Sequence, residues 1–207
     1  MLALLVTVLA FVVLVAGLIL VQLHTLRVPP MPSNPRMRAA ILTLLTRFLD
    51  GIPPRAPGPA AEGADPSGSR RRPSCRVYEL GSGWGGLSVR IAREYPDIPV
   101  VGVERSVVPY LFSRIMLAVF RQPNLSFRRL DVHAAPFESP PDRRNEQTPV
   151  VLIAYLSREH MDALAAALPA RRRITVISAA FALPGRQPDE EIRVQDLYRT
   201  PVYRYDL

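Results

Sequence analysis

Short hydrophobic runs alternate with segments of helical periodicity from residue 76 onward. The runs are rich in valine, isoleucine and leucine, and they predict buried strands near 76–80, 99–104, 125–130, 150–155 and 174–179. Segments between the strands carry apolar residues at helical spacing and predict helices over 85–95, over 107–120, and from Ser157 to Leu168. Repeated strand–helix units predict an α/β, Rossmann-like fold, with a mostly parallel sheet and helices on both faces.

The end of the chain departs from this alternation. Residues 191–197 and 201–205 alternate polar and apolar side chains around a short turn, which predicts an antiparallel hairpin. A Pro-rich loop of about ten residues replaces the helix expected before it. A parallel sheet that ends in an antiparallel strand pair is unlike the usual NAD-binding domain.

The N-terminal residues have a different pattern. The run from Leu2 to Leu23 is almost wholly apolar and spans about 33 Å as a helix, which predicts a transmembrane anchor over residues 1–24. A signal peptide is the competing interpretation, but no basic residue precedes the run and the run is long for one. Arginines follow the run and none precedes it, which predicts a single-pass protein with its N-terminus outside and its C-terminal part in the cytoplasm.

Two segments connect this anchor to the α/β domain. Residues 25–51 predict a juxtamembrane amphipathic helix, with Asn34 as N-cap and Pro35 at the first position. Its apolar face leaves two arrangements open: the helix lies on the membrane surface, or it packs on the domain. Residues 52–73 are rich in Pro, Ala, Gly and Ser and predict a disordered linker, so the domain is assigned to residues 74–207.

Charge and cysteine usage narrow the functional classes. All 26 basic residues are arginine, the formal net charge is +8, and the sequence pI is near 10.5. This charge permits contact with anionic lipid or nucleic acid without requiring either. No aromatic residues interleave with the arginine run at 70–72, so we expect no nucleic-acid partner. One cysteine, Cys75, and three scattered histidines predict neither a disulfide nor a metal site.

The candidate chemistry lies in the turn after the first predicted strand. Gly81, Gly83 and Gly86 fit the dinucleotide signature Gly-x-Gly-x-x-Gly. Gly81, Gly83 and Gly85, preceded by Glu79, also fit the signature (Asp or Glu)-x-Gly-x-Gly-x-Gly of class I methyltransferases. A carboxylate at Glu79 would repel a pyrophosphate but is compatible with S-adenosylmethionine (SAM), which is cationic.

The second predicted strand also ends in an acid. Glu104 follows the glycine turn by about twenty residues, and a carboxylate at this position suits a bidentate hydrogen bond to ribose hydroxyls. An α/β protein whose acids only cap helices is the alternative without any ligand. The glycine turn and Glu104 together favour a nucleoside-containing cofactor.

From about Val77 to Leu207, the chain resembles the class I SAM-dependent methyltransferases. More narrowly, it resembles short bacterial members that combine the turn at Glu79–Gly85 with a Phe-Ala-Leu-Pro-Gly loop, here Phe181–Gly185, and an Asp-Leu-Tyr-Arg-Thr hairpin, here Asp196–Thr200. It also resembles, distantly, the membrane-anchored lysine methyltransferases that act on the ATP synthase c subunit. These share a hydrophobic anchor and a Leu-Gly-Ser-Gly turn.

The resemblance implies roles for matching positions. Glu79, Gly81 and Gly83 would border the methionine part of SAM, Glu104 would bind the ribose, and Asp131 and Val132 would face the adenine. The full set of implied cofactor-binding residues is Glu79, Gly81, Ser82, Gly83, Gly85, Glu104, Arg105, Asp131 and Val132.

The acceptor side of the implied site is less defined. Tyr155, after the fourth strand, is the candidate for the methyl-transfer site, and Leu156 lies beside it. Tyr155-Leu156-Ser157 stands where amine methyltransferases carry Asn/Asp-Pro-Pro-Tyr, so the acceptor atom is open. His133 is a weaker candidate for a general base beside Asp131. Trp84 either shields the cofactor or packs over the turn.

The sequence therefore predicts a membrane-anchored, SAM-dependent methyltransferase whose acceptor is a membrane protein or a membrane-associated molecule. Two alternatives stay open: a catalytically silent methyltransferase-like scaffold at the membrane, and a small NAD(P)-binding Rossmann oxidoreductase. Methyl transfer from a sulfonium needs alignment and exclusion of water, so no catalytic triad or metal is expected.

Overall fold

The computed structural model describes residues 1–26, 34–52, 75–131, 148–168 and 173–207. The helices are α1 Leu2–Leu26, α2 Pro35–Gly51, α3 Gly86–Glu94, α4 Val107–Phe120 and α5 Arg158–Ala167. The strands are β1 Arg76–Leu80, β2 Val100–Glu104, β3 Leu125–Arg129, β4 Val150–Ala154, β5 Ile174–Ala179, β6 Glu190–Arg193 and β7 Pro201–Asp206. Each predicted strand and helix of the α/β region is present, with bounds within about two residues of the prediction, except that the first hairpin strand, predicted over 191–197, ends at Arg193.

One seven-stranded sheet organises the domain. Its strand order is β3-β2-β1-β4-β5-β7-β6, with β1 to β5 mutually parallel and β7 antiparallel to both β5 and β6. This confirms the predicted Rossmann-like fold with its C-terminal antiparallel hairpin. The described residues 180–189, between β5 and β6, contain no helix, as the sequence predicts.

Hydrophobic clusters cover both faces of the sheet. On one face α2 and α3 bury their apolar sides against strand residues such as Val77 and Ile153, and α4 packs beside them. On the other face α5 contributes Met161 and Leu164 to a cluster with Leu152. The central strands are apolar on both sides because both faces are covered.

Helix α2 belongs to the first of these faces. Ile41, Leu44 and Leu45 are fully buried in its cluster. The helix begins at the predicted cap, where the Asn34 side chain accepts a hydrogen bond from the Arg36 N–H at 3.0 Å. Of the two arrangements that the sequence left open for this helix, the structure has the one in which it packs on the domain.

Helix α4 has its apolar stripe turned outward. Leu111, Ile115 and Val119 are 54%, 60% and 66% exposed, whereas Pro109 and Ser113 are buried. Small residues on the inner side allow the helix to approach the glycine turn closely: the Ser113 Cβ lies 3.0 Å from where a Cβ on Gly85 would stand. Hydrophobicity alone does not orient this helix, because it is apolar on nearly all sides.

Helix α1 extends over 25 residues at the N-terminus. Within the part of the chain that the structure describes, no helix combines the length and the apolarity of a membrane span. The predicted transmembrane helix thus gains no support from the structure. The predicted linker at 52–73 lies, apart from Ile52, outside the described residues.

Candidate cofactor site

The turn between β1 and α3 forms the centre of the candidate site. Gly81, Gly83 and Gly85 have φ values of 72°, 53° and 80°. These lie in the left-handed region that residues with a Cβ adopt only with strain. Gly86, the first residue of α3, is not among the residues of positive φ. The backbone therefore favours glycine at 81, 83 and 85, which are the three glycine positions of the methyltransferase signature.

Two of these glycines also permit close packing. A Cβ on Gly85 would lie 2.7 Å from the Phe127 ring, and one on Gly81 would lie 2.9 Å from the Leu156 side chain. A Cβ on Gly83 would meet nothing within 4 Å. The absence of a Cβ at Gly81 and Gly85 thus allows the turn to pack against the rest of the domain. Gly83 faces open space, where a ligand can approach the backbone.

Glu104 links the glycine turn to the neighbouring strand. Its Oε2 accepts a hydrogen bond from the Gly83 N–H at 2.9 Å, and its Oε1 accepts one from the Ser106 N–H at 2.7 Å. The N–H groups of Gly81 and Ser82 both donate to the Val103 carbonyl at 2.9 Å. Glu104 is therefore at the turn, as a ribose ligand would need to be. A carboxylate has acceptor capacity beyond these two bonds.

Ser82 offers a test of whether a ligand fits the turn. Its side chain is buried, and its Oγ has no hydrogen-bond partner among the described residues. A buried hydroxyl without a hydrogen-bond partner costs free energy unless a ligand or a water molecule supplies that partner. A polar group held against the turn, such as the carboxylate or amino group of a bound amino acid, satisfies that requirement. The turn therefore fits a cofactor with a polar end.

Glu79 is buried beneath the turn. Its Oε2 accepts a hydrogen bond from the Ser88 hydroxyl. Burial raises the pKa of Glu79 to about 7, while the Ser88 hydrogen bond and the charge of Arg38 act in the opposite direction. Arg38 reaches this region from α2, and its guanidinium lies 3.3 Å from where a Cβ on Gly86 would stand.

Sequence reasoning missed Ser88 and Arg38. The sequence offers one signal for Ser88, a serine between the apolar residues Leu87 and Val89, and none for Arg38. Both act on Glu79, which is therefore poised to lose a proton when a cation binds nearby.

The ends of β2 and β3 meet beside the turn. Arg105 and Asp131 form an ion pair with an N–O distance of 3.4 Å, and both side chains are partly exposed. Asp131 thus lies at the same edge of the sheet as Glu104, as the adenine role requires. Val132 and His133, the other residues predicted here, lie outside the described residues.

The segment after β4 forms another side of the site. Tyr155 is partly buried against the cluster that contains Val77 and Ile153, and Leu156 contacts the turn at Gly81. Ser157 is the N-cap of α5, and its hydroxyl lies 2.7 Å from the His160 Nδ1. Leu156 therefore lies at the glycine turn, and Tyr155 precedes it at the carboxyl end of β4, the strand that pairs with β1.

Trp84 and Cys75 complete the candidates. The Trp84 ring packs edge-on against Phe112 of α4, with 5.1 Å between ring centroids, which favours packing over shielding of a ligand. Cys75 is buried, and burial raises the pKa of its thiol to about 12, which favours the protonated form.

Several solved structures share this fold, and two of them were crystallised with S-adenosyl-L-homocysteine or S-adenosylmethionine. An RNA methyltransferase from Salinibacter ruber, crystallised with S-adenosyl-L-homocysteine, has a TM-score of 0.55 and 21% identity, over 85% of this chain and 93% of that chain. MtNAS, as a mutant with S-adenosylmethionine, has a TM-score of 0.52 and 11% identity, over 80% of this chain and 61% of that one. TrmN from Thermus thermophilus has a TM-score of 0.50 and 17% identity, over 83% of this chain and 48% of that one.

These similarities establish the fold that the sequence predicts. No protein-family model matches the chain, and no curated protein matches it.

Proposed function

We propose that this protein is a SAM-dependent methyltransferase. The observation that carries the proposal is the turn in which glycines 81, 83 and 85 all adopt positive φ, with the Gly83 N–H bonded to Glu104. Support comes from the buried Ser82 hydroxyl, which lacks a partner in the described part of the chain, and from solved SAM-bound and S-adenosylhomocysteine-bound structures of the same fold.

Each residue around the turn would contact a different part of the cofactor. Ser82 would hydrogen-bond the amino-acid end of the cofactor, and Glu104 would accept hydrogen bonds from the ribose hydroxyls. Asp131 would accept a hydrogen bond from the exocyclic amine of the adenine. The Glu79 carboxylate, once deprotonated, would lower the free energy of the cation through space.

The chemistry then requires little beyond geometry. Bound SAM supplies a methyl group that its sulfonium already activates. The chain must hold an acceptor in line with that methyl group and keep water out. Tyr155 and Leu156 are the described residues beside the turn that meet this need, and a tyrosine hydroxyl can orient an acceptor by a hydrogen bond.

The oxidoreductase alternative fits the structure less well. In a Gly-x-Gly-x-x-Gly turn the third glycine, here Gly86, allows the helix to pack closely on the strand, but the atoms nearest to a Cβ on Gly86 would be those of the Arg38 guanidinium, at 3.3 Å, and not strand backbone. The antiparallel β7, inserted between β5 and β6, also departs from the strand order of dinucleotide-binding domains. The scaffold alternative shares the fold and differs only in whether methyl transfer occurs.

We also propose that α1 attaches the protein to a membrane and that the acceptor is membrane-associated. The apolar residues of α1 whose exposure is described, from Leu4 to Leu14, are largely exposed, and none of them belongs to either hydrophobic cluster of the described residues. The predicted orientation, with the domain in the cytoplasm, belongs to this proposal. Partition of the full chain into membranes after alkaline extraction supports it, and recovery without detergent in the soluble fraction contradicts it.

Transfer of a radiolabelled methyl group tests the proposed function. The full chain, in detergent, is incubated with methyl-labelled SAM and membranes, beside a Gly83→Val variant and a Tyr155→Phe variant. We expect label in a membrane component with the parent chain, none with Gly83→Val, and reduced transfer with unchanged SAM affinity for Tyr155→Phe. SAM binding without any transfer to membrane or soluble extracts would favour the scaffold.

A further inference from the structure

The outward face of α4 is an apolar surface with no covering element among the described residues. It comprises Val107, Val108, Leu111, Phe112, Ile115, Ala118 and Val119. Most of these side chains are well exposed, among them Ile115 and Val119. A surface helix normally turns polar residues to solvent. A contiguous apolar face of this kind on a folded domain marks an interaction site.

Arginines border this face. By helical spacing, Arg114 and Arg121 lie along one side of it, and both are exposed. Arg93 of α3 lies over the Phe120 ring at 4.2 Å, near the C-terminal end of α4. The whole chain carries a formal net charge of +8. An apolar helix face flanked by arginines is the chemistry that binds an anionic lipid surface, where the apolar side chains enter the interface and the guanidinium groups meet headgroups.

The chain also tethers α1 to the layer of helices that includes α4. Residues 27–33 separate α1 from Asn34 at the start of α2, and eight fully extended steps reach at most about 28 Å. Helix α2 and the inner side of α4 pack against the same hydrophobic cluster on one face of the sheet. The face of α4 thus belongs to the helical layer to which α1 is tethered.

We propose that the outward face of α4 lies on an anionic bilayer as a second membrane contact. This inference rests on the proposed membrane attachment through α1. The surface adjoins the cofactor site, because Phe112 packs against Trp84 in the glycine turn. Docking through α4 would therefore place the methyl-transfer site at the lipid surface, which suits an acceptor that is itself in the membrane.

Trp84 provides a native probe, since it is the only tryptophan of the chain. The full chain is reconstituted into vesicles of phosphatidylcholine and phosphatidylglycerol, with and without acyl-chain bromination, and Trp84 emission is recorded. An interfacial helix lies ~5–10 Å into the headgroup and acyl boundary, so brominated lipid should remove on the order of half of the emission. Vesicles without phosphatidylglycerol should give clearly less quenching.

Paired variants separate the face of α4 from other exposed residues. Leu111→Gln with Ile115→Gln should abolish quenching, because both side chains point outward and their loss leaves the core intact. Leu197→Gln with Tyr198→Ser, at the exposed turn between β6 and β7, should leave quenching unchanged. SAM titration of the α4 double variant should give the parental affinity, which separates this inference from the proposed function.

The remaining outcomes overturn the inference. A chain that floats with vesicles but shows no quenching, or the same quenching in the α4 double variant, contradicts the lipid contact while leaving the α1 attachment intact. A chain that does not float contradicts both. Crosslinking of two chains through position 115, without quenching, would assign the face to a second copy instead.

Discussion

The Glu104 carboxylate accepts a hydrogen bond from the Gly83 N–H at 2.9 Å, which joins the end of β2 to the middle of the glycine turn. The same carboxylate holds the Ser106 N–H at the start of α4. One side chain therefore fixes two backbone segments and still has acceptor capacity beyond those two hydrogen bonds. Its removal should affect the shape of the site as well as the ribose contact.

We expect Glu104→Gln to weaken SAM binding by about 10–100-fold, because an amide has one oxygen to offer and no charge to strengthen its hydrogen bonds. Titration calorimetry of the full chain measures this. Glu94→Gln, an exposed change at the end of α3, is the matched control and should bind as the parent does. Equal affinity for both variants would remove Glu104 from the site.

Two glycines of the turn should respond differently to alanine. Gly85→Ala places a Cβ 2.7 Å from the Phe127 ring in addition to the φ strain, and it should lower the free energy of unfolding by about 2–4 kcal/mol. Gly83→Ala meets only strain, about 1 kcal/mol, but its Cβ enters the open side of the turn. Denaturant unfolding and SAM titration should therefore show a stability loss for Gly85→Ala and an affinity loss for Gly83→Ala. The reverse assignment would contradict the proposed ligand position.

Glu79 should make stability depend on pH in a defined direction. Its pKa is about 7 in the folded protein against the ordinary glutamate value of 4.5, so between these pH values the folded state holds a proton that the unfolded chain has lost. The free energy of unfolding must fall as pH rises through this window, by on the order of 3 kcal/mol. In Glu79→Gln this contribution should be absent. The free energy of unfolding of the parent, relative to that of Glu79→Gln, should therefore fall between pH 5 and pH 8. A difference that does not vary with pH would contradict the burial of an ionisable Glu79.

The same group should couple SAM binding to proton release. A bound cation lowers the pKa of a nearby carboxyl, so the affinity for SAM should rise by up to about tenfold between pH 6 and pH 8. Calorimetry at pH 6 in buffers of different ionisation enthalpy should detect release of up to about one proton. In Glu79→Gln both effects should vanish. Persistence of proton release in that variant would assign it to another group.

Helix α2 should be part of the folded unit. Leu45 is fully buried against the sheet, so Leu45→Ala should cost about 2–5 kcal/mol of unfolding free energy. Leu9→Ala in α1 removes the same atoms from an exposed position and should change it by less than about 0.5 kcal/mol. Unfolding of the full chain in mild detergent, followed by Trp84 emission, measures both. Equal effects would mean that α2 does not stabilise the domain.

Much of the fold follows from local patterns. The β-branched runs of β4 and β5 could be assigned because strands covered on both faces are almost continuously apolar. The glycine turn could be assigned because positive φ restricts the residue type. The hairpin of β6 and β7 followed from alternation, and its turn is held by Thr200, which donates to Asp196 from both N–H and hydroxyl.

Other features depend on tertiary packing that the sequence does not display. Helix α4 has apolar residues on both sides, so periodicity does not determine which side faces the domain. Pro109 and Ser113 face inward because small side chains allow the helix to approach Gly85 closely. The packing of α2 likewise depends on an apolar face of the sheet against which Ile41 is buried. The burial of Ser82 and the approach of Arg38 join segments far apart in the chain, and no local pattern encodes either.

Titration calorimetry of the full chain with SAM, and separately with NADH, tests the central claim most directly. The account predicts saturable binding of SAM at one site per chain, together with no binding of NADH. Binding of NADH without binding of SAM, by a chain that unfolds cooperatively, would contradict it and return the glycine turn to the dinucleotide-binding interpretation.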